Sequence, residues 1–281
     1  MLLKMTFTLS RTTRLLIEPG RDSDQNEGPG NNHAGWPTPI GLSAWYEVDV
    51  EVEAAPDPET GYIIGIDVID RAVRAAATPL LRAALLGDSR IGIGTLVAQI
   101  KDRTAEQLSQ HPQTLRLRLS PRHEVAWRSN SRTLQKSTPM TSSQDTLLLR
   151  EDFEFAASHR LHCPDQSDEW NQKTFGKCNN AQGHGHNYRV QVVAETTMDS
   201  HGMPELGFER LETIVKEQVL NRFDHKHLND QCREFETLNP SVENIARVCR
   251  DLLAGPIGEA GGTFDSVTVW ETEKTSCTCR R

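Results

Sequence analysis

The sequence predicts an α+β fold made of two tandem units, each with an antiparallel sheet and two helices. Three observations predict this class. The hydrophobic pattern after residue 150 runs strand, strand, helix, helix, strand. The first 150 residues repeat that order. A composition of 36% hydrophobic and 25% charged residues is that of a globular chain able to bury a core.

The second unit shows both periodicities clearly. Phe153, Phe155 and Ala157 share one face of a strand, and Tyr188 begins an alternating run on the next. Ser241 is a suitable N-cap for the second helix. The predicted elements are strands at 153–157 and 184–197, helices at 208–221 and 241–253, and a strand at 266–272. One more strand is expected before the chain ends.

The first unit repeats this plan, which indicates an internal duplication. Residues 41–50 can be laid on residues 183–192 without a gap, and the turn ending at Gly61 matches the turn ending at Gly202. The predicted elements are a strand at 46–52, helices at 66–85 and 93–108, and a strand at 114–120. A Ser/Thr-rich stretch separates the two units. We place the first domain at 1–130, a linker at 131–147 and the second domain at 148–281.

Charge and cysteine are divided unevenly between the halves. The first 150 residues carry 17 basic and 17 acidic residues, whereas the rest carries 14 and 22, together with all six cysteines and seven of the ten histidines. The net charge of −8 argues against a nucleic-acid-binding surface, which needs a basic footprint. No apolar run reaches the length of a membrane span, and Met1–Arg11 is no signal peptide. We therefore expect a soluble cytoplasmic protein with neither nucleic-acid nor membrane partners.

Three histidines form a candidate metal site. His184 and His186 are two residues apart at the start of a strand, so both imidazoles point to one face. His159 ends the preceding predicted strand and is the natural third ligand. Three neutral imidazoles suit Zn²⁺ and leave one position open for substrate. The alternative is a set of polar strand-end residues without metal.

Three further groups are candidates for chemistry. Cys178 follows a lysine, and positive charge from this lysine and from a nearby zinc ion would favour its thiolate, which would act as a base or a nucleophile; the alternative is an inert reduced thiol. Asp224 and His225 would face a shared cleft as a proton-shuttling pair, although an aspartate cannot simply orient the ring of the adjacent histidine. The alternative is that both belong to a polar loop that ends a helix. His227 would then be a surface residue. Glu271 places a carboxylate on an apolar strand face, which favours a buried anchor for ligand N–H groups.

Together these segments resemble the 6-pyruvoyl-tetrahydropterin synthase family over residues 150–275. The resemblance rests on the motifs Phe-Ala-Ala-Ser-His159-Arg-Leu, Phe-Gly-Lys-Cys178-Asn-Asn-Ala-Gln-Gly-His184-Gly-His186-Asn-Tyr, Asp224-His225-Lys-His-Leu-Asn, Pro240-Ser-Val-Glu243-Asn and Val-Trp-Glu271-Thr. It implies the tunnelling fold (T-fold), a four-stranded antiparallel sheet with two helices on one face. Such units assemble into a barrel with active sites between neighbours, so we expect a homo-oligomer.

The resemblance also implies residue roles. His159, His184 and His186 bind Zn²⁺, and Cys178 is the general base. Asp224 and His225 assist proton transfer. The residues expected to bind substrate are Glu271, as the pterin anchor, with Glu243 and Ser241.

The implied reaction converts 7,8-dihydroneopterin triphosphate to 6-pyruvoyl-tetrahydropterin with loss of triphosphate, on the tetrahydrobiopterin route. An alternative branch makes 6-carboxy-5,6,7,8-tetrahydropterin for queuosine biosynthesis. Its enzymes usually place three residues between the cysteine and His-Gly-His; here there are five, which favours the pyruvoyl product. A zinc- and pterin-binding module without activity is the non-enzymatic alternative.

The first unit is predicted to be a T-fold copy without a site. Arg11, Leu42 and Ala44 occupy the positions of the three histidines, and Ser120 replaces the glutamate. No cysteine is available there. We expect this copy to serve as a built-in barrel neighbour of the catalytic unit.

Overall fold

The computed structural model describes residues 6–19, 31–87, 91–129 and 146–281. The chain divides into two compact units. The first comprises Met1–Leu149 and Thr196–Glu205, and the second comprises Arg150–Glu195 and Leu206–Arg281. Of the linker predicted at 131–147, residues 131–145 lie outside the described residues. Its last two positions, Thr146 and Leu147, already belong to a strand.

The first unit contains a four-stranded antiparallel sheet and two helices. Its elements are β1 (Phe7–Ile17), β2 (Ala44–Ala54), α1 (Ile66–Leu86), α2 (Ile93–Gln107), β3 (Pro112–Arg118) and β4 (His123–Arg128). Each strand pairs with the next along the chain. The predicted strands and helices are confirmed. The pattern missed β1 and β4, because β1 carries a polar stretch and β4 has only six residues.

The two faces of this sheet differ in polarity. Val48, Val50 and Val52 of β2 are fully buried and belong to the core. The alternate residues of the same strand are acidic: Glu47 pairs with Arg14 at 2.7 Å and also with Arg118, a residue of β3. Cross-strand pairs of opposite charge stabilise this face of the sheet.

The structure shows that Arg11 does not occupy a histidine position. Arg11 lies in the middle of β1, opposite Val50, whereas Ala44 at the start of β2 is opposite Ile17. The pairing register therefore places Arg11 six residues from the strand end. Its guanidinium instead binds Asp70 on α1, with Nε donating at 3.0 Å, and so ties the helix to the sheet.

The second unit has the same order with more elements between its central strands. These are β5 (Thr146–His159), α3 (Asp168–Phe175), β6 (His184–Thr196), α4 (Phe208–Val215), α5 (Asn221–Phe223), β7 (Lys226–His227), α6 (Leu228–Gln231), α7 (Val242–Glu259), β8 (Gly262–Thr272) and β9 (Thr275–Arg280). The hydrogen-bonded order is β5-β6-β8-β9, and β7 pairs with β5 in parallel.

The core of this unit follows the predicted pattern. Tyr188, Val190, Val192 and Ala194 of β6 are fully buried. The helix predicted at 208–221 begins as α4, and a wider π-helical turn over 216–220 leads into α5. The described helices include none that is long and apolar enough to cross a membrane.

Two equivalent turns support the internal duplication. Asp57 accepts backbone N–H bonds from Glu59 and Thr60. Asp199 likewise accepts from His201 and Met203, at 2.8 and 2.9 Å. Each turn contains a glycine of nearly identical left-handed φ, +73° at Gly61 and +74° at Gly202.

Only one of these two glycines is enclosed. The carbonyl of Gly202 accepts a hydrogen bond from the Thr95 N–H at the start of α2. A Cβ on Gly202 would lie 1.7 Å from Thr95 Oγ1, whereas a Cβ on Gly61 would have nothing within 4 Å. Within the first compact unit, the turn at Gly202 thus packs against α2 so closely that no side chain fits.

We predict that Gly202→Ala destabilises the protein more than Gly61→Ala. Both substitutions impose a left-handed φ on alanine, which costs about 1–2 kcal/mol. Only Gly202→Ala adds a clash, so its total cost should reach about 3 kcal/mol or more. Thermal and urea unfolding of the two variants measure the difference. Equal midpoints would contradict the close packing of this turn.

Glu151 is a buried carboxyl on β5. Burial, together with the smaller effects of the Glu212 and Asp152 charges, raises its pKa from an ordinary 4.5 to about 7. The folded protein therefore keeps a proton that the unfolded chain releases between pH 4.5 and 7. The resulting stability is complete below pH 4.5 and is lost as the pH rises through 7.

We predict that Glu151→Gln flattens this pH dependence. In the native chain Glu151 should lower the free energy of unfolding by up to about 1.4 kcal/mol per pH unit within the window. Urea unfolding at several pH values from 4.5 to 8 measures the slope. Glu154→Gln, on the exposed side of the same strand, is the control and should keep it. An unchanged slope in Glu151→Gln would contradict the assignment.

Candidate metal centre and active site

The three candidate histidines come together at the ends of two neighbouring strands. His159 is the last residue of β5, and His184 and His186 open β6. Their ring centroids are 4.5–5.2 Å apart. One ring nitrogen from each lies within 4.8 Å of the other two. The structure therefore brings the predicted metal-binding set together.

His159 is held in the orientation and charge state of a metal ligand. It is fully buried, and its Nδ1 donates to the backbone carbonyl of Pro240 at 2.7 Å. This bond leaves Nε2 as the free acceptor. Burial lowers the pKa of His159 to about 4; the Pro240 bond opposes this shift, and the charges of His184 and His186 add to it. A neutral imidazole is the form that binds metal.

The nitrogen positions fit a tetrahedral zinc ion. Nε2 of His159 lies 3.2 Å from Nε2 of His184, and two ligands of such an ion are about 3.3 Å apart. Nδ1 of His184 and Nε2 of His186 are buried without hydrogen-bond partners among the described residues. Burial and the charge of His186 lower the pKa of His184. One of the three separations thus matches a tetrahedral ion, the ligand atoms of all three residues lie within 4.8 Å of one another, and the donor set suits Zn²⁺.

Glu271 borders this cluster from β8. Its Oε1 lies 3.4 Å from Nε2 of His159 and 3.8 Å from Nε2 of His186. Tyr188 lies on the other side of His186, with 5.5 Å between the ring centroids, and is fully buried. Burial, reinforced by Glu271 and Cys178, raises the pKa of Tyr188 and keeps the phenol neutral. The pattern identified Tyr188 only as a core residue.

Cys178 lies just before β6. It belongs to a short 3₁₀ turn, Gly176–Asn179, and its carbonyl accepts from the Leu161 N–H at 2.9 Å. Its sulfur is partly buried and free. Among the described residues, the sulfur of Cys178 has no hydrogen-bond partner. Cys178 is therefore not hydrogen-bonded to Asp224 or His225.

Asp224 does orient the ring of its neighbour, contrary to the expectation. His225 adopts a left-handed φ of 58°, the one described residue other than glycine with positive φ. This turns its Nδ1 to within 2.9 Å of Asp224 Oδ2. The other carboxylate oxygen accepts from the Ala156 N–H at 2.8 Å. This bond lowers the pKa of Asp224, and the hydrogen bond and charge of His225 lower it as well. Such a backbone conformation outside glycine is typical of functional sites.

A cavity of about 550 Å³ lies beside these groups. Its lining consists of residues 156–158, 185–187 and 225–227 with Gln231. It thus contains one candidate ligand, His186, and one candidate proton carrier, His225. His227 also lines this cavity rather than the open surface, and only 23% of its side chain is exposed.

Gly183 is required by the packing next to this cavity. It has a left-handed φ of 70°. A Cβ here would lie 2.7 Å from Nε2 of His227 and 2.9 Å from the carbonyl of His159. The absent side chain therefore lets the turn before β6 approach the end of β5.

Two asparagines that the sequence analysis missed fix the chain after His159. Asn229 clamps Arg160, accepting from its N–H at 2.8 Å and donating to its carbonyl at 3.0 Å. Asn179 accepts from Nε of Arg160 at 3.2 Å and is hydrogen-bonded to Nδ1 of His162 at 3.1 Å. Both asparagines follow residues of the predicted site, Asn179 in Cys-Asn-Asn and Asn229 in His-Leu-Asn. Their place in these motifs was the sequence signal that could have identified them.

The start of α7 supports the metal site through its backbone. Ser241 is the N-cap of this helix, and its Oγ accepts from the Asn244 N–H. The cap fixes Pro240, whose carbonyl holds His159. Glu243 is exposed in the first turn. Substrate binding by Ser241 and Glu243 stays a prediction.

Comparison with known proteins finds a matching family model and several relatives. A family model described as 6-pyruvoyl tetrahydropterin synthase matches residues 148–281. The Drosophila melanogaster 6-pyruvoyl tetrahydrobiopterin synthase is 36% identical over 105 residues, which are 37% of this chain but less than two thirds, 62%, of that protein. The human protein of that name is 36% identical over 119 residues, covering 42% of this chain and 81% of that protein. The solved Caenorhabditis elegans 6-pyruvoyl tetrahydropterin synthase is 31% identical, has a TM-score of 0.43, and covers 48% and 96% of the two chains.

We predict that the histidine cluster binds about one Zn²⁺ per chain and that His159→Ala removes it. The variant loses one ligand, and the Pro240 carbonyl loses its donor. Metal analysis after dialysis measures the content. His201→Ala, a histidine on the turn at 199–202, is the control and should retain zinc. Equal zinc in native protein and His159→Ala would contradict the site.

Proposed function

Because this chain belongs to the 6-pyruvoyl tetrahydropterin synthase family, we propose that it is a zinc-dependent lyase. Its substrate is 7,8-dihydroneopterin triphosphate, and its products are 6-pyruvoyl-tetrahydropterin and triphosphate. The observation that carries the proposal is the convergence of His159, His184 and His186, with His159 fixed by Pro240. The same unit also carries a free thiol at Cys178, the carboxylate of Glu271 and the Asp224–His225 pair, which a simple metal-binding module does not need.

In this proposal the side-chain hydroxyls of the substrate lie at the histidine cluster. Bound Zn²⁺ supplies Lewis-acid polarisation of these hydroxyls. Cys178 accepts protons from the substrate side chain as general base. Its place on the turn leading directly into His184 and His186, and its free sulfur, support this role.

Asp224 and His225 move protons at the cavity. The carboxylate holds Nδ1 of His225, which leaves Nε2 to exchange a proton with substrate or solvent. The side chain of His225 is 83% exposed, so it has room to meet a ligand in the cavity. The bond from the Ala156 N–H keeps Asp224 ionised, which favours a charged imidazole during transfer.

Glu271 is the proposed anchor for the pterin ring. A carboxylate matches the N–H and amino group on one edge of a pterin with two parallel hydrogen bonds. Its partly buried position on β8 strengthens such bonds. Ser241 and Glu243 at the start of α7 complete the proposed substrate-binding set.

The pyruvoyl product is preferred over the carboxy product for two reasons. Five residues separate Cys178 from His184, and both the Drosophila and human relatives carry the pyruvoyl name. The alternative product, 6-carboxy-5,6,7,8-tetrahydropterin, would place the chain in queuosine biosynthesis. Loss of turnover with retained zinc would leave a pterin-binding module.

We also propose that the enzyme is a homo-oligomeric barrel of T-fold units with sites between neighbouring units. The domains in this proposal are 1–130, a linker at 131–147, and the catalytic 148–281. The first unit has the strands and helices but none of the chemistry: Leu42, at the place of His184, is 91% exposed. Its charged sheet face is suited to the wet interior of a barrel.

We predict that the native protein converts dihydroneopterin triphosphate and that Cys178→Ala lowers kcat about 10²–10⁴-fold with unchanged zinc content. Loss of the base slows proton removal without disturbing the metal ligands. Rapid-quench kinetics and mass analysis measure rate and product. Cys163→Ala, which removes another partly buried free thiol, is the control.

The mass of the product separates the remaining candidates. A pyruvoyl product supports the proposal, and a carboxy product with acetaldehyde supports the queuosine branch. Absence of any product from zinc-loaded native protein would overturn the enzymatic proposal.

A further inference from the structure

Arg160 presents an oriented guanidinium with its terminal nitrogens free. It directly follows the buried His159, and its backbone is clamped on both sides by Asn229. Its Nε donates to the carbonyl and to the side-chain oxygen of Asn179, each at 3.2 Å. These contacts fix the base of the guanidinium but use only one of its nitrogens.

The charge environment of Arg160 is unusual for this acidic chain. The described residues provide no carboxylate within ion-pair distance of Arg160, and its two terminal nitrogens have no hydrogen-bond partner there. Arg222, in the same unit, is paired with Glu234 at 2.9 Å. A half-buried guanidinium that is held in place but not neutralised is suited to an anion.

A second positive charge lies near the residue that holds Arg160. Lys177 is exposed on the same 3₁₀ turn as Asn179. Cys178, the proposed base, lies between these two residues. The turn that holds Arg160 through Asn179 is therefore also the turn that carries the proposed base. Adjacent Cα atoms are about 3.8 Å apart, which also keeps Arg160 next to the metal ligand His159.

We propose that Arg160 binds the polyphosphate of the substrate and of the released triphosphate. The planar fork formed by its two terminal nitrogens meets two phosphate oxygens, while Asn179 acts as a positioning residue that holds Nε. Lys177 contributes a second, less directional charge. This inference rests on the proposed function, because it assigns the anionic part of that substrate to the residue that directly follows the proposed metal ligand His159.

The test uses inorganic triphosphate and the full-length, zinc-loaded protein. Titration calorimetry compares native protein with Arg160→Gln, Arg160→Lys and the control Arg222→Gln. Arg160→Gln should weaken triphosphate binding at least about tenfold, Arg160→Lys should lose less because it keeps the charge, and Arg222→Gln should bind as the native protein does. Neopterin, which lacks phosphate, should bind all four proteins equally.

Native affinity for triphosphate in Arg160→Gln, at unchanged zinc content, would overturn the assignment. If Arg160→Gln fails to retain zinc, Arg160→Lys decides: native affinity there would overturn the role of the fork. Equal weakening for neopterin and triphosphate would show a structural role and would also overturn the assignment. Because binding needs no turnover, Arg160-dependent binding without product would remove only the proposed lyase activity.

Discussion

The hydrogen bond from Nδ1 of His159 to the carbonyl of Pro240 is the contact on which the site depends. It joins residues 81 positions apart, linking the end of β5 to the N-terminus of α7. A fully buried imidazole without this acceptor would pay for desolvation at both nitrogens. With it, one nitrogen is satisfied and the other must face His184. The N-cap at Ser241 and the packing of α7 in the core thus determine the geometry of the metal site. A change at the start of α7 would therefore also disturb the position of His159.

The sequence predicted side-chain positions best where the residues lie in regular strands. Alternation placed Tyr188, Val190 and Val192 in the core and His184 and His186 on one face, because side-chain direction in a strand is fixed by parity. It failed where the backbone leaves regular geometry. The ion pair of Asp224 with His225 needs a left-handed residue, which no local pattern announced. Asn179 and Asn229 act on backbone groups of a segment distant in sequence, so only the folded chain reveals them. The prediction that Arg11 occupies a histidine position was wrong, because the sequence of one strand does not give its pairing register with the next strand. Without the register, the residue at the strand end cannot be identified.

The two units preserve one scaffold with different uses of its polar residues. Both have a turn with an aspartate accepting backbone N–H groups and a left-handed glycine. In the first unit, charged side chains mostly pair with one another, as Arg11 does with Asp70 and Arg14 with Glu47. In the second unit, polar groups around His159 are left with free nitrogens or a free sulfur. Internal pairing stabilises a fold, whereas groups without internal partners are available to a ligand.

The packing of Gly202 on α2 has a consequence for how this gene can be recombined. The turn is encoded within the second half of the sequence, yet it belongs to the first compact unit, where the Thr95 N–H bonds to its carbonyl. A crossover at the polar stretch near residue 140 would therefore transplant a turn without its complementary surface. The border between the two halves of the sequence and the border between the two compact units are therefore different, and the halves cannot be exchanged as independent parts.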